Sequence, residues 1–284
     1  MPGFRNVADY AAADAAGRMH FCSLRKVPSQ ASVAGNWVDL SMAAGNPKPQ
    51  YYASAPLEAA TLDGFEGIFH GDAKSPASKH LTHLGLMTPT AALVGQYKLL
   101  DYLLYYPFVD GDSLDAQTLG NTVALPRYAD GDGVMAMAVV CAPTTGGGSF
   151  TFNYIDHAGQ SRTSPIVSCN ATAAGIATLA TSVQAQASGG QVFLPLDTLS
   201  RGVRRIDSVT FVAPSGGLLA LVLVKPLLDL AVREVSNMAE TEAIRLRPGA
   251  PQVLDGAYLG LICNCAGSVA AGQLAGYARF AWST

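Results

Sequence analysis

The stretch from Val203 to Leu228, VRRIDSVTFVAPSGGLLALVLVKPLL, constrains the fold more than any other part of the 284-residue chain. Ile206, Val209, Phe211 and Val212 are strand formers, and Pro214-Ser215-Gly216-Gly217 breaks the chain. Leu218 to Val224 is then an aliphatic run without interruption, ended by Lys225-Pro226. Two apolar runs around a Pro/Gly turn predict a buried β-hairpin at the centre of a core. Tyr258 to Ile262 and Tyr277 to Trp282 read as further strands of the same sheet system.

The rest of the chain supports a β-rich reading. Strand patterns cover Lys79 to Met87, Val134 to Ala142, Val192 to Leu196, Ala243 to Leu246, Tyr258 to Cys263 and Tyr277 to Trp282. Phe150, Phe152 and Tyr154 alternate with Thr151 and Asn153. That is the period-two signature of a sheet with one wet face, and the segment leads through the turn HAGQ into SRTSPIVSC. Tyr97 to Val109, the most aromatic region, fits a strand ending near Pro107, or a short helix passing into strand. From Thr61 onward, Leu62, Phe65, Ile68 and Phe69 recur between glycines. Roughly ten short strands with turns this frequent define an all-β chain, a β-sandwich or jelly-roll with long loops. Its expected division is residues 1–60, an N-terminal arm and Pro-rich loop region, and residues 61–284, the β domain. Residues 8–16, ADYAAADAA, fit a short helix or an extended arm equally. The proline-punctuated loop from Pro28 to Pro56 would be anchored by Trp37, Tyr51 and Tyr52.

Charge narrows the function classes. Charged residues make up 14% of the chain, against roughly 25% in an average domain, and interface cores are depleted of charge. A surface covered by neighbours is the natural setting for such a chain. Its net charge of −3 supplies no basic field for direct nucleic-acid binding. Arg201, Arg204 and Arg205 form only a short basic spot. The N-terminus lacks the apolar core of a signal peptide, and the run at Leu218 to Val224 falls far short of the roughly 20 residues of a membrane helix. No membrane role is expected.

The candidate chemistry is thin. His80 and His83, with His70 and Asp72 upstream, have loose metal spacing, but two positions three apart on an extended chain are expected on opposite faces. Asp110-Gly111-Asp112 and Asp130-Gly131-Asp132 suit turns better than calcium, since the central Gly and terminal Glu of a calcium loop are missing. Neither Ser215-Gly216-Gly217 nor Thr144 to Gly148 stands between a strand and a helix as a nucleophile elbow or phosphate loop would. Glu240 and Glu242 read as a solvated edge. Cys22, Cys141, Cys169, Cys263 and Cys265 form no metal or disulfide framework and are expected as free, largely buried thiols. We expect no enzyme, no cofactor and no metal.

The segments Gly35-Asn36-Trp37-Val38-Asp39-Leu40-Ser41-Met42, Gly45-Asn46-Pro47, Tyr51-Tyr52-Ala53 and Gly67-Ile68-Phe69-His70-Gly71 resemble virion structural proteins of tailed bacteriophages. The resemblance implies a capsid decoration or minor capsid subunit, located in the virion and assembled in the host cytoplasm. Its expected partners are the major capsid protein or other virion proteins, and a homo-oligomer such as a trimer. Trp37, Tyr51 and Tyr52 are the expected interface residues. A tail or connector component is the alternative within that class. A carbohydrate- or receptor-binding β-sandwich is the alternative outside it, with Trp37, Tyr51, Tyr52 and the tyrosines from Tyr102 to Tyr106 stacking on sugars.

Overall fold

The computed structural model describes residue 4 and residues 7–62, 64–181, 192–242 and 250–283. The expected strand at Ala243 to Leu246 lies outside the described residues, as do residues 182–191. One helix, α1 (Val7–Ala15), precedes β1 (Met19–Val27), β2 (Trp37–Asp39), β3 (Ala44–Asn46), β4 (Ser78–Met87) and β5 (Gly95–Asp110). Then come β6 (Gln117–Thr118), β7 (Met135–Ala142), β8 (Ser149–Asp156), β9 (Ser161–Thr163) and β10 (Val167–Ser168). The chain continues through β11 (Val203–Ala213), β12 (Leu218–Val232), β13 (Ala239–Glu242), β14 (Tyr258–Cys265) and β15 (Leu274–Ser283). All named strand pairs are antiparallel. The all-β, sandwich-like expectation therefore holds.

The strands form three sheets: a central one of order β2-β14-β5-β12-β7, a first flanking one of order β13-β4-β15-β1-β3, and a second flanking one of order β10-β8-β11-β6 with β9 on β8. The central sheet closes on itself. Its two edge strands, β2 and β7, are bridged by residues 177–180, where Val38 pairs with Thr178 and Val139 with Leu179. The Asp39 and Leu179 amides donate to the carbonyls of Ala177 and Trp37 at 2.8 and 2.9 Å. On the other side, the Val140 and Ala180 amides donate to the carbonyls of Thr178 and Ala138 at 2.9 and 2.8 Å. A sheet closed in this way has no unpaired rim of backbone donors and acceptors.

The aliphatic run is explained by its place in this sheet. Leu219, Leu221 and Leu223 of β12 share a core with Phe150, Phe152 and Val209 of the second flanking sheet. Ala220, Val222 and Val224 share the other core with Met137 and Val139. A strand buried on both faces has no polar alternation to show. Each of its buried leucines and valines contributes about 1.5–3 kcal/mol on burial.

The expected hairpin is corrected. β11 pairs with β8 and β6, whereas β12 pairs with β5 and β7, so the Pro-Ser-Gly-Gly turn is an arch between two sheets. Its backbone bonds go outward: the Ser215 amide donates to the Gly111 carbonyl at 2.9 Å, and the Gly111 amide to that of Gly217 at 3.0 Å. Gly217 has φ +69°, and a Cβ there would sit 2.4 Å from the Ala142 carbonyl oxygen, so no side chain fits.

Other expectations resolve similarly. The β8–β9 hairpin forms, and Tyr97 to Val109 is strand throughout. Val192 to Leu196 is not strand, and the region from Thr61 holds a 3-10 turn at Gly64–Glu66. The expected boundary at residue 60 is crossed by strand pairing, β1 with β15 and β2 with β14. The Ala-rich N-terminal segment is helical and packs against β15, where Ala13 is fully buried.

Candidate functional site

Two of the three expected interface aromatics are inside the protein. Trp37 is 3% exposed and Tyr52 2%, while Tyr51 is 56% exposed. Tyr102, Tyr105 and Tyr106 are buried as well. Of these rings, only that of Tyr51 stands out at the surface. The sugar-stacking set is thereby withdrawn.

The buried tyrosines serve a polar centre instead. Asp39, at the end of β2, is fully buried and accepts from the Ser41 amide at 2.8 Å, the Tyr52 hydroxyl at 2.5 Å and the Tyr102 hydroxyl at 2.8 Å. Burial pushes its carboxyl above the ordinary range, and the three donors pull it back. Burial and the Asp39 charge hold both tyrosines well above their ordinary value, so they stay protonated donors. Lys26, also buried, donates to the carbonyls of Ala43 and Pro47 at 3.1 and 2.8 Å, and burial lowers its amine to about 8. The Tyr102 bond to Asp39 ties the loop from Pro28 to Pro56 to β5 of the central sheet, and Lys26 ties it to β1 of the first flanking sheet.

A second buried cation, Lys79, donates to His70 Nδ1 at 2.9 Å and to the carbonyls of Gly71 and Asp72 at 3.1 and 2.8 Å. With Nδ1 accepting, His70 carries its proton on Nε2, which donates to the Ala257 carbonyl at 3.0 Å. Burial, then the Lys79 charge, pushes His70 down to about 4 from 6.5, with Asp255 opposing and Arg127 adding slightly. The sign comes from linkage: the unfolded chain takes up a proton near 6.5 and the folded chain does not until about 4. Stability from this site is full above 6.5 and is lost as pH falls toward 4, by about 3 kcal/mol. His70→Gln keeps a donor and an acceptor and is expected to flatten that part of the pH dependence in chemical denaturation. An equal acid loss in the variant would refute the assignment.

The histidine pair departs from expectation. The register between β15 and β4 shifts between Arg279 and Phe280, leaving Thr82 as an extra residue, so His80 and His83 face the same side. There His80 meets Phe4, and His83 meets Tyr10 of α1, with ring centroids 5.8 and 6.3 Å apart. The Asp-Gly-Asp segments are turns in which Asp110 and Asp130 accept from the amides of Asp112 and Asp132. Cys22, Cys141, Cys169 and Cys263 stand as thiols outside any disulfide. Burial pushes the thiols of Cys22, Cys141 and Cys169 up to about 11, 12 and 11, which keeps them protonated at neutral pH.

The surface with the composition of a contact site is the outer face of the first flanking sheet, which no pattern in the sequence marks. Phe21, Ser23 and Arg25 of β1 stand opposite Arg279, Tyr277 and Ala275 of β15. Phe21 is 57% exposed and stacks on Tyr277 with ring centroids 5.3 Å apart and planes at 25°. Gly85 makes room: a Cβ there would lie 2.5 Å from the Tyr277 ring. The Tyr277 hydroxyl donates to Glu240 at 2.6 Å, which holds the ring across β4. The period-two signal in MHFCSLRKV is hidden because Lys26, a charged residue, occupies an inward position.

No family model matches the sequence, and no curated protein matches it. Among solved structures, the chain is similar to the infectious bursal disease virus VP2 subviral particle, at 9% identity over 93% of this chain and 80% of the other, with a TM-score of 0.15. It is similar also to infectious bursal disease virus Gx strain, at 11% identity over 93% and 41%, with a TM-score of 0.13. Likeness at that level carries no weight for function.

Proposed function

We propose that this protein is a structural subunit of a bacteriophage particle, a capsid decoration or minor capsid protein that works by self-association and by docking on the shell, without catalysis. The observation that carries the reading is the outer face of the first flanking sheet. Exposed Phe21 is stacked on Tyr277 and flanked by Arg25 and Arg279, the aromatic and arginine composition of binding hot spots. Strand-to-strand growth is disfavoured at the edges β3, β10 and β6, which are 3, 2 and 2 residues long. Contact by a sheet face is what remains. The sparse charge of the chain, 14% of its residues, fits a surface meant to be covered.

Phe21→Asp places a charge where the face would be dehydrated. It is expected to weaken self-association or shell docking by about 10- to 100-fold while leaving the folded monomer intact, since Phe21 lies outside the core. Light scattering over a range of concentrations, with and without shells, reads the effect. A wild-type chain that stays monomeric and ignores shells would sink the proposal. Copy number per particle separates a shell subunit from a tail or connector component.

A further inference from the structure

At one end of the closed central sheet, Asp39 of β2, Phe108 of β5, Cys141 of β7 and Ala177 of the closing segment stand together. β2, β5 and β7 run in the same direction, each being antiparallel to the strand between them, so these residues surround a single mouth. Over it lies a cleft of about 230 Å³. Val38, Met42, Ile176 and Val269 contribute apolar walls, and exposed Tyr51 stands at the rim. Outside this lining, Lys98 bonds Asp229 at 2.9 Å and lies 5.7 Å from the Trp37 ring.

We propose that the open mouth is a binding site for a small uncharged aromatic molecule of one or two fused rings. Its size fits, since a cavity of about 150 Å³ already takes up a benzene-sized molecule. The aromatic preference comes from Phe108, Tyr51 and the Met42 thioether, which offer ring-edge and sulfur contacts. The lack of charge stems from the neighbouring ions: the Asp39 carboxylate is buried under three donors, and Lys26 is bonded to two carbonyls, so neither is left to pair with a ligand. The backbone is an independent sign. Phe108 and Ala177, two of the lining residues, hold φ of 59° and 70°, a region that side-chain-bearing residues rarely adopt. Such strain concentrates at ligand clamps.

The test is a titration of the full chain with indole, followed by methyl NMR signals of Met42, Ile176 and Val269. The expected result is saturable shifts with a dissociation constant between about 10 μM and 1 mM. Ala53→Trp adds a ring at the exposed rim of the cleft, where no core contact is disturbed. It is expected to weaken indole binding at least about 10-fold with an unchanged melting temperature. No shift up to about 5 mM indole, or equal affinity in Ala53→Trp, overturns the proposal. A cleft that is silent toward indole and protected only in assembled particles also overturns it, and would make the mouth a socket for a neighbouring chain. Shell docking by Phe21 is read separately and stands or falls by itself.

Discussion

Asp39→Ala is expected to destabilise the folded chain by about 3–5 kcal/mol, measured as a fall in the denaturation midpoint at unchanged slope. The substitution removes the acceptor shared by the Tyr52 and Tyr102 hydroxyls and the Ser41 amide, all in a fully buried setting. Unpaired buried donors cost about 1–3 kcal/mol each. The damage would concentrate where β2 meets the closing segment, because Asp39 also donates its amide to the Ala177 carbonyl there. Asp39→Asn keeps the size and one acceptor oxygen, and its cost should be about half. A loss below about 1 kcal/mol in the alanine variant would show that this polar centre does not hold the closure.

Arg127→Ala is expected to cost a similar amount at neutral pH, about 3–5 kcal/mol. The guanidinium donates to both carboxylate oxygens of buried Asp101, at 2.7 and 3.0 Å, and to the carbonyls of Tyr102 and Gly256 at 3.0 and 2.7 Å. It thereby ties β5 to the turn before β14. Burial raises the Asp101 carboxyl from 3.8 to about 6 even with Arg127 pulling it down. A raised carboxyl contributes stability that is full below 3.8 and lost as pH rises through the folded value. Without the guanidinium that value rises further, so the deficit of the variant should be largest near pH 7 and shrink as pH falls toward 4. Urea midpoints across that range read it directly. A deficit independent of pH would mean that Arg127 acts through packing alone.

The pair of predictions falls on residues that look ordinary in the sequence. In WVDLSM, Asp39 is one acidic residue in an apolar stretch, and only its bond to the Ser41 amide is local. Tyr52 and Tyr102 reach it from a loop and from another strand, so no spacing rule brings the three together. The same separation along the chain misplaces Trp37 and Tyr52 as interface aromatics. A large ring in a proline-punctuated loop has the same local signature whether the loop lies open or is pinned inward by Lys26. Phe21 shows the reverse case, an exposed ring in a strand whose alternation is masked by that lysine.

Local physics, then, was enough for the longer strands of the β domain. Strand propensity, alternation in β8 and the turn residues HAGQ depend on neighbours a few positions apart, and they were legible in the chain as an all-β fold. Sheet membership was decided by the tertiary structure. The Pro-Ser-Gly-Gly turn is compatible with a hairpin or an arch, and the choice came from Gly111 and Ala142, which take its bonds and crowd its glycines. The closing segment at residues 177–180 has no strand pattern to read. It joins the central sheet because β2 and β7 offer unpaired backbone on both sides of it, and satisfying buried peptide groups outweighs the weak preference of those residues for any one conformation.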